Sequence, residues 1–225
     1  MSLVESRILE PGGRLFHSGP AQYDRHVTWS IALAIVAAYI VGSIDFAVIV
    51  GRMHGVDIHS VGSGNPGASN VLRSLGRVPA AMVLLGDTLK GVVGAAMGMI
   101  ASGTGDPLVE WAFLAGFAAV IGHCYPVFHR FRGGKGVATG LGVLFFTMPI
   151  VGLIVVTTWI VLVKLTKTAS ISSLIVVLAS IPLALWQGVR GMSLVWLLAT
   201  VVLVIWRHKG NIQRVVRGSE QKVEA

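Results

Sequence analysis

The sequence predicts an all-α polytopic membrane protein, a bundle of seven transmembrane helices. Of its 225 residues, 54% are hydrophobic and only 12% are charged, about half the charged fraction of soluble domains. The apolar residues form long runs with neither the alternation of a strand nor a clean amphipathic stripe, which is typical of lipid-facing helices. The net charge of +8 is then explained by cations that flank the spans, so nucleic-acid binding is not indicated.

The chain begins with a predicted polar tail, residues 1–28, in which no apolar signal-peptide core precedes a cleavage site. Five apolar runs follow that we predict as spanning helices: residues 29–50, 79–101, 108–121, 171–186 and 192–206. No linker or composition break divides them. We therefore predict one transmembrane domain over residues 29–206 and a cytoplasmic C-terminal segment over residues 207–225.

A sixth apolar run, residues 137–163, decides the topology because Pro149 interrupts it. A single crossing would be roughly 40 Å long, against a hydrocarbon core of about 30 Å. A double crossing that turns at residues 147–149 places most lysines and arginines on one face, whereas a single crossing removes that bias. The positive-inside rule therefore predicts seven spans, with the N-terminus outside and the C-terminus in the cytoplasm.

The double crossing leaves the first half of this run short. Residues 137–148 form about 18 Å of helix, too little to span the core alone. Either residues 133–136 extend the helix, or it begins below the surface as a half-helix near the functional site. In the second case its N-terminal dipole points into a cavity, which suits an anion.

The first of three polar segments on the predicted cytoplasmic face is residues 62–73, GSGNPGASNVLR. Such a loop can turn tightly and converge its N–H groups and hydroxyls on an anion. Because Asn65 precedes Pro66, we predict that a helix starts just after it. Arg73 then lies about two turns along that helix, where it is able to bind phosphate in a bidentate manner. The alternative is a plain flexible turn.

The second polar segment joins GHCYP at residues 122–126 to FRGGKGVAT at residues 131–139. It is not a P-loop, since a glycine follows the lysine where serine or threonine is required. A lysine among glycines at a helix N-terminus nevertheless suits phosphate, which favours a functional role for Lys135. Arg130 and Arg132 are better explained as topology determinants.

The third segment, RHKGNIQR at residues 207–214, follows the last span directly. His208 and Asn211 are three residues apart and share a helix face, so both are able to point back at the bundle. When this segment is taken alone, a basic stop-transfer tail is the better explanation.

Charged residues within the spans require partners. Asp87 and Lys90 lie at i and i+3 in the second span, where they either pair or face a wet interior. Asp45 lies at a similar depth in the first span, so an Asp45–Lys90 contact is a further hypothesis. Two pairs of glycines four residues apart, 94 with 98 and 136 with 140, predict close helix packing.

Several kinds of catalytic site are absent from the sequence. It contains no G-x-S-x-G, no H-E-x-x-H, no cysteine pair and no histidine followed five positions later by aspartate. The single cysteine, Cys124, is predicted to be an inert apolar residue. Neither a metal nor a cofactor is implied.

Together, the three polar segments resemble the signature segments of a bacterial family, the acyl-phosphate:glycerol-3-phosphate acyltransferases, often called PlsY. The sequence GSI at residues 42–44 and the Gly86-Asp87 and Lys90-Gly91 pairs are also similar to that family. The resemblance extends over about residues 41–220, in the same order. Two positions depart from it: Asp45 replaces the usual proline, and Ser69 replaces the usual threonine.

The resemblance implies transfer of a fatty acyl group from acyl phosphate to the 1-hydroxyl of sn-glycerol 3-phosphate. The products are lysophosphatidic acid and phosphate, in phospholipid biosynthesis at the bacterial cytoplasmic membrane, with the active site toward the cytoplasm. It implies five catalytic residues: Ser63, Asn65, Arg73, Lys135 and His208. It also implies substrate binding by Gly64, Gly67, Ser69, Asn70, Gly133, Gly134, Gly136 and Asn211. The partners are acyl phosphate, glycerol 3-phosphate and membrane lipid, with no nucleic acid and no oligomeric state indicated.

The residues present suit this chemistry. Acyl phosphate is already activated, so the site must mainly place two anions and a hydroxyl and stabilise the departing phosphate. Our hypothesis is direct attack by the hydroxyl, with a phosphate oxygen as proton acceptor and His208 as the alternative base. The rival function is a transporter or channel for phosphorylated anions, which requires access from both faces. A structural scaffold leaves the three glycine-rich segments unexplained.

Overall fold

A computed structural model describes residues 25–223, and all regular secondary structure in that range is helical. There are ten α-helices and one 3-10 turn, Val127–His129. The helices are α1 Arg25–Gly42, α2 Phe46–Met53, α3 Ala68–Leu75, α4 Arg77–Ser102, α5 Glu110–Cys124, α6 Val137–Thr147, α7 Pro149–Thr166, α8 Ala169–Trp186, α9 Gly191–Arg207 and α10 Lys209–Val216. Residues 1–24 of the predicted polar tail and the last two residues lie outside the described range, and residues 25–28 of that tail belong to α1.

Within residues 25–223, five segments are long and apolar enough to cross a membrane: residues 28–53, which combine α1 and α2, and the helices or extended helices from α4, α5, α7 and α8. The count becomes six if α9 and α10, which meet at a bend of 53°, form one broken span. Helix α6 is apolar but shorter. These features confirm an all-helical, polytopic membrane protein.

The first apolar run is interrupted between α1 and α2. Asp45 lies in the break with an extended backbone and caps α2, since its carboxylate accepts a hydrogen bond from Val48 N at 3.1 Å. A side-chain oxygen at this position satisfies an N–H that would otherwise lack a partner at the helix start. Aspartate thus begins a new helix at the position where the resemblance leads one to expect proline.

The central packing unit is formed by α1, α4 and α5, and small residues allow their backbones to approach closely. A Cβ at Gly98 would lie 2.0 Å from Trp111 O, and one at Gly94 would lie 2.7 Å from Ala119 Cβ. The predicted packing of this glycine pair is therefore confirmed.

The second predicted glycine pair is only half correct. A Cβ at Gly136 would lie 2.8 Å from Val120 Cγ1, whereas one at Gly140 would first meet Thr200 Cγ2 at 3.8 Å, an ordinary contact. The close approach on α6 is made instead by Gly142, whose Cβ would lie 1.9 Å from Thr88 O on α4.

The run over residues 137–163 turns back on itself at Met148. This residue separates α6 from α7 with φ −142° and ψ 74°. A Cβ at Gly152 on α7 would lie 2.8 Å from the ring of Phe145 on α6, so the two helices pack against each other. Lys135 before α6 and Lys167 after α7 line the same cavity. The predicted interruption at residues 147–149 is therefore confirmed, and the double crossing stays a prediction.

Candidate active site

The three polar segments meet at one end of a cavity of about 790 Å³ between the helices. Its polar end is lined by Ser63, Asn65, Arg73, Lys135, His208 and Asn211. Its other end is lined by apolar side chains of α6 to α9, among them Leu144, Val155, Trp159, Val176 and Leu197. A charged head and a long apolar body therefore fit one continuous space.

A tight loop forms the wall before α3. Gly62 and Gly64 adopt left-handed φ angles of 57° and 67°, a conformation that favours glycine. A Cβ at Gly64 would also lie 3.0 Å from His59 O. The loop leads through Gly67 to the start of α3 at Ala68, close to the predicted position.

Asn70 holds this loop in shape from beneath. Its Oδ1 accepts from Ser63 N at 2.8 Å, and its Nδ2 donates to Ile58 O at 3.2 Å and to Val61 O at 3.0 Å. The residue is 1% exposed. Its amide group therefore shapes the loop, and direct substrate binding by Asn70, which also lines the cavity, stays a prediction.

Arg73 on α3 extends over the loop toward the cavity. Its Nη2 donates to Ser63 Oγ at 3.3 Å, while its Nε is buried and has no hydrogen-bond partner. Burial lowers the pKa of Arg73, an effect that Glu220 opposes and Arg214 reinforces. A buried guanidinium N–H without a partner is costly unless a ligand satisfies it. Arg73 is therefore suited to an anionic ligand.

Lys135 lies on the opposite wall, just before the left-handed Gly136 that precedes α6. Its Nζ donates to Asn211 Oδ1 at 2.6 Å. Burial lowers the pKa of Lys135 to about 8; Arg214, Arg73 and Arg207 reinforce this effect and Glu220 opposes it. The helix N-terminus of α6 faces the same cavity, so N–H groups and cations point to one place.

The Gly133-Gly134 segment is fastened to the end of α9. Arg207 donates from Nη2 to Gly133 O at 2.7 Å and from Nε to Gly134 O at 3.0 Å. A Cβ at Gly134 would lie 2.1 Å from His123 Nε2, so this close approach requires glycine. Arg207 thus positions the Lys135 segment, a role that the sequence analysis did not predict.

His208 occupies the bend between α9 and α10 and is 2% exposed. Its Nδ1 lies 2.7 Å from Val204 O. A carbonyl oxygen only accepts, so Nδ1 carries the proton, and Nε2 of the neutral ring is left as an acceptor. Both His208 and Asn211 line the cavity, an arrangement that their spacing on one helix face allows.

Four residues were missed by the sequence analysis: Ser170, Arg207, Arg214 and Glu220. Glu220 accepts hydrogen bonds from Ser170 Oγ and Arg214 Nε at 2.7 and 2.8 Å. Burial alone would raise the pKa of Glu220, but the hydrogen bonds from Ser170, Asn211 and Arg214 hold it below its usual range. Arg214 belongs to the third polar segment, but nothing local indicated that Glu220 would return to it.

The charged residues within the spans lie beneath the site. Lys90 Nζ pairs with Asp87 Oδ1 at 2.8 Å and donates to Ile44 O, also at 2.8 Å. His123 Nδ1 lies 3.5 Å from the same carboxylate oxygen. The predicted Asp87–Lys90 pair is confirmed. The hypothesised Asp45–Lys90 ion pair is not formed: Lys90 pairs with Asp87, and the Asp45 carboxylate caps α2.

The fold and the site define a polytopic membrane protein with a buried, cationic site at the mouth of an apolar cavity. The sequence model of the family described as glycerol-3-phosphate acyltransferase matches residues 32–218. Proteins of that name from Hydrogenovibrio crunogenus and Rhizobium meliloti are 44% and 42% identical to this chain. The matches cover 84% and 87% of this chain and 90% and 96% of those proteins.

Two crystal structures are also similar, both of PlsY (YgiH), an integral membrane glycerol 3-phosphate acyltransferase. The glycerol 3-phosphate form has a TM-score of 0.81 and 35% identity, over 87% of this chain and 96% of that one. The lysophosphatidic acid form has a TM-score of 0.79. The chain therefore belongs to the glycerol-3-phosphate acyltransferase family and is an acyltransferase.

Proposed function

We propose that this protein transfers a fatty acyl group from acyl phosphate to the 1-hydroxyl of sn-glycerol 3-phosphate, giving lysophosphatidic acid and inorganic phosphate. The observation that carries the proposal is the pairing of a cationic pocket with an apolar cavity. The buried, unpartnered Nε of Arg73 faces the polar end, and Lys135 lies across from it. An acyl chain in the apolar part then places its activated carbonyl among the cations.

The step that the site must support is a direct acyl transfer. The hydroxyl oxygen forms an ester bond to the acyl carbon, and the bond from that carbon to the phosphate oxygen breaks. Cations and N–H groups that face the departing phosphate stabilise its charge. Holding both reactants in one orientation supplies much of the remaining acceleration.

The hydroxyl proton passes to a phosphate oxygen, and His208 Nε2 is the alternative acceptor. His208→Gln separates the two assignments. Retention of most of kcat with a raised KM for glycerol 3-phosphate assigns His208 to binding, and a large loss of kcat assigns it to proton transfer.

Seven crossings accommodate this site on the cytoplasmic side. They are the five long spans, α9 and the shorter α6, with the N-terminus outside and with α10 and the C-terminus on the cytoplasmic side. The domain limits follow as residues 1–28, 29–206 and 207–225. The location at a bacterial cytoplasmic membrane is supported by the concentration of lysines and arginines beside the site.

The test is phosphate release by the purified, lipid-reconstituted protein given palmitoyl phosphate, with and without sn-glycerol 3-phosphate. We expect release to depend on glycerol 3-phosphate and to equal the lysophosphatidic acid formed. Arg73→Ala removes a charged ligand and should lower kcat/KM at least about 100-fold. Arg52→Ala, an exposed arginine outside the cavity, is the matched control and should not change it.

Two results would contradict the proposal. The first is phosphate release without lysophosphatidic acid, which would indicate simple hydrolysis. The second is an absence of turnover in folded protein that still moves glycerol 3-phosphate into liposomes, which would indicate the transporter.

A further inference from the structure

The chain after α10 returns across the polar end of the cavity. Gly218 has a left-handed φ of 67°, and Ser219 N donates to Arg214 O at 2.8 Å. Further on, Val223 N donates to Lys167 O at 2.7 Å, and the Val223 side chain is buried. Residues 218–223, here named the C-terminal strap, therefore connect α10 to the α7–α8 connection.

The strap inserts one carboxylate into the site. Glu220 has a side chain that is 10% exposed. Its Oε1 accepts from Ser170 Oγ at 2.7 Å and from Asn211 Nδ2 at 2.5 Å, and its Oε2 accepts from Arg214 Nε at 2.8 Å. Both oxygens are thus held by donors from α8 and α10.

The position of this carboxylate fixes the orientation of Asn211. A carboxylate only accepts hydrogen bonds, so Asn211 must turn its Nδ2 toward Glu220. Its Oδ1 then faces the other way and accepts from Lys135 Nζ at 2.6 Å. Were Asn211 to flip, two donors would face each other at Lys135 and two acceptors at Glu220. The hydrogen bonds that link Lys135, Asn211 and Glu220 therefore form with only one orientation of the Asn211 amide.

Glu220 orients Asn211 without forming an ion pair with Arg73 or Lys135, the two cations that face the ligand. Its ion pair is with Arg214. Arg73 keeps a buried Nε without a partner, and Lys135 uses a single hydrogen bond to a neutral amide. This distribution favours a fixed structural carboxylate over one that competes with substrate phosphate for the site.

We propose that Glu220 is a positioning residue for acyl transfer: by orienting Asn211 it holds Lys135 on the substrate phosphate. The inference rests on the proposed function, since Lys135 is assigned there to a substrate anion. Glu220 also sets the charge around Lys135. The charged groups that act on Lys135 are Arg214 from α10, Arg73 from α3 and Arg207 from α9, with Glu220 as their negative counterpart. The neutral ring of His208, at the bend, is another titratable neighbour.

The test is the pH profile of kcat/KM for glycerol 3-phosphate in the full-length protein carrying Glu220→Gln. We expect kcat/KM at pH 7 to fall about tenfold or more, the effect of losing a charged hydrogen-bond partner. We also expect its alkaline limb to move to lower pH, because the negative charge that favours protonated Lys135 is gone. Lys222→Gln, on the exposed part of the same strap, is the control and should match the wild type.

Several outcomes would overturn the inference while wild-type turnover leaves the proposed function intact. An unchanged profile in Glu220→Gln removes any role, and a raised kcat/KM indicates an inhibitory strap. A lower kcat/KM with an unmoved alkaline limb indicates a purely structural residue.

If Glu220→Gln does not fold, Glu220→Asp carries the test. Its shorter reach should lower kcat/KM while the retained charge keeps the limb in place, and full activity in that variant would contradict the inference. If wild-type turnover does not depend on glycerol 3-phosphate, the proposed function itself has failed.

Discussion

At the scale of single residues, the site is built from cations that lack enough counter-charge. Arg73, Lys135, Arg207 and Arg214 surround the polar end of the cavity, and Glu220 supplies a carboxylate among them. When several cations lie close together in a partly buried pocket, their repulsion favours the loss of a proton from one of them. The proton leaves the cation whose pKa is lowered most easily. That residue is Lys135, since guanidinium groups stay protonated in proteins.

The pH dependence of the free enzyme should therefore report Lys135. Its pKa of about 8 lies below the ordinary lysine value, chiefly because of burial. Below that pH the ammonium is charged and attracts a phosphate dianion; above it the charge is lost. We expect kcat/KM for glycerol 3-phosphate to fall as pH rises through about 8, and the measurement is the profile from pH 6 to pH 10.

Lys135→Arg is the matched variant for this prediction. Arginine keeps its charge across the whole range, so the decline above pH 8 should disappear even if the absolute rate is lower. A decline at the same pH in both proteins would show that another group titrates.

At the scale of helices, the site depends on how closely α4 and α6 approach each other. A Cβ at Gly142 would lie 1.9 Å from Thr88 O, and one at Gly91 would lie 2.0 Å from Thr139 O. These two glycines allow backbone contact over about two turns. Because α6 begins two residues after Lys135, this packing sets where the N-terminus of α6 faces.

Gly142→Ala should separate these helices. The added methyl has no space, and overpacking of this kind costs about 1–3 kcal/mol. The measurement is thermal unfolding in detergent, with an expected fall in Tm and a smaller loss of activity.

Gly140→Ala on the same helix is the control. A Cβ there meets nothing closer than 3.8 Å, and alanine improves helix propensity by about 0.5–1 kcal/mol. We expect Tm to stay the same or rise. Equal destabilisation by both variants would show that the close approach is not what matters.

The helix ends and the motif residues were predictable because their signals are local. Pro149 marks the turn between α6 and α7, and the glycines around Lys135 mark a helix start. The break at Asp45 was not predicted, since one polar residue in an apolar run is equally compatible with an ion pair across helices. Which of Gly140 and Gly142 faces α4 depends on the rotation of α6, and periodicity alone does not fix that rotation.

At the scale of the whole molecule, the sequence predicted the convergence of three segments but not the contribution of the strap. The three segments were placed together because they share a predicted membrane face. Glu220 lies beyond the last span in a polar tail, where its contact with Ser170, 50 residues earlier, has no local signature. Long-range contacts made by single side chains of this kind appear only once the helices are assembled.

The orientation of the molecule in the membrane is a prediction from its charge and is open to a direct test. The sole cysteine, Cys124, is buried, so Cys124→Ala provides a background for introducing single exposed cysteines. Thr104 in the α4–α5 connection and Pro149 at the α6–α7 turn lie at helix ends away from the polar end of the cavity. Arg52 and Gln213 lie on the side predicted to be cytoplasmic.

We expect a membrane-impermeant maleimide to label Thr104→Cys and Pro149→Cys on intact bacterial spheroplasts, and to label Arg52→Cys and Gln213→Cys only after permeabilisation. Seven crossings with a cytoplasmic C-terminus require this pattern, because the cations that flank the spans resist translocation. The reverse pattern would invert the topology and place the site outside. If Pro149→Cys reacts from neither side until detergent is added, α6 ends inside the bilayer. Its N-terminal dipole would then act at membrane depth from a re-entrant hairpin, and the number of complete crossings would fall.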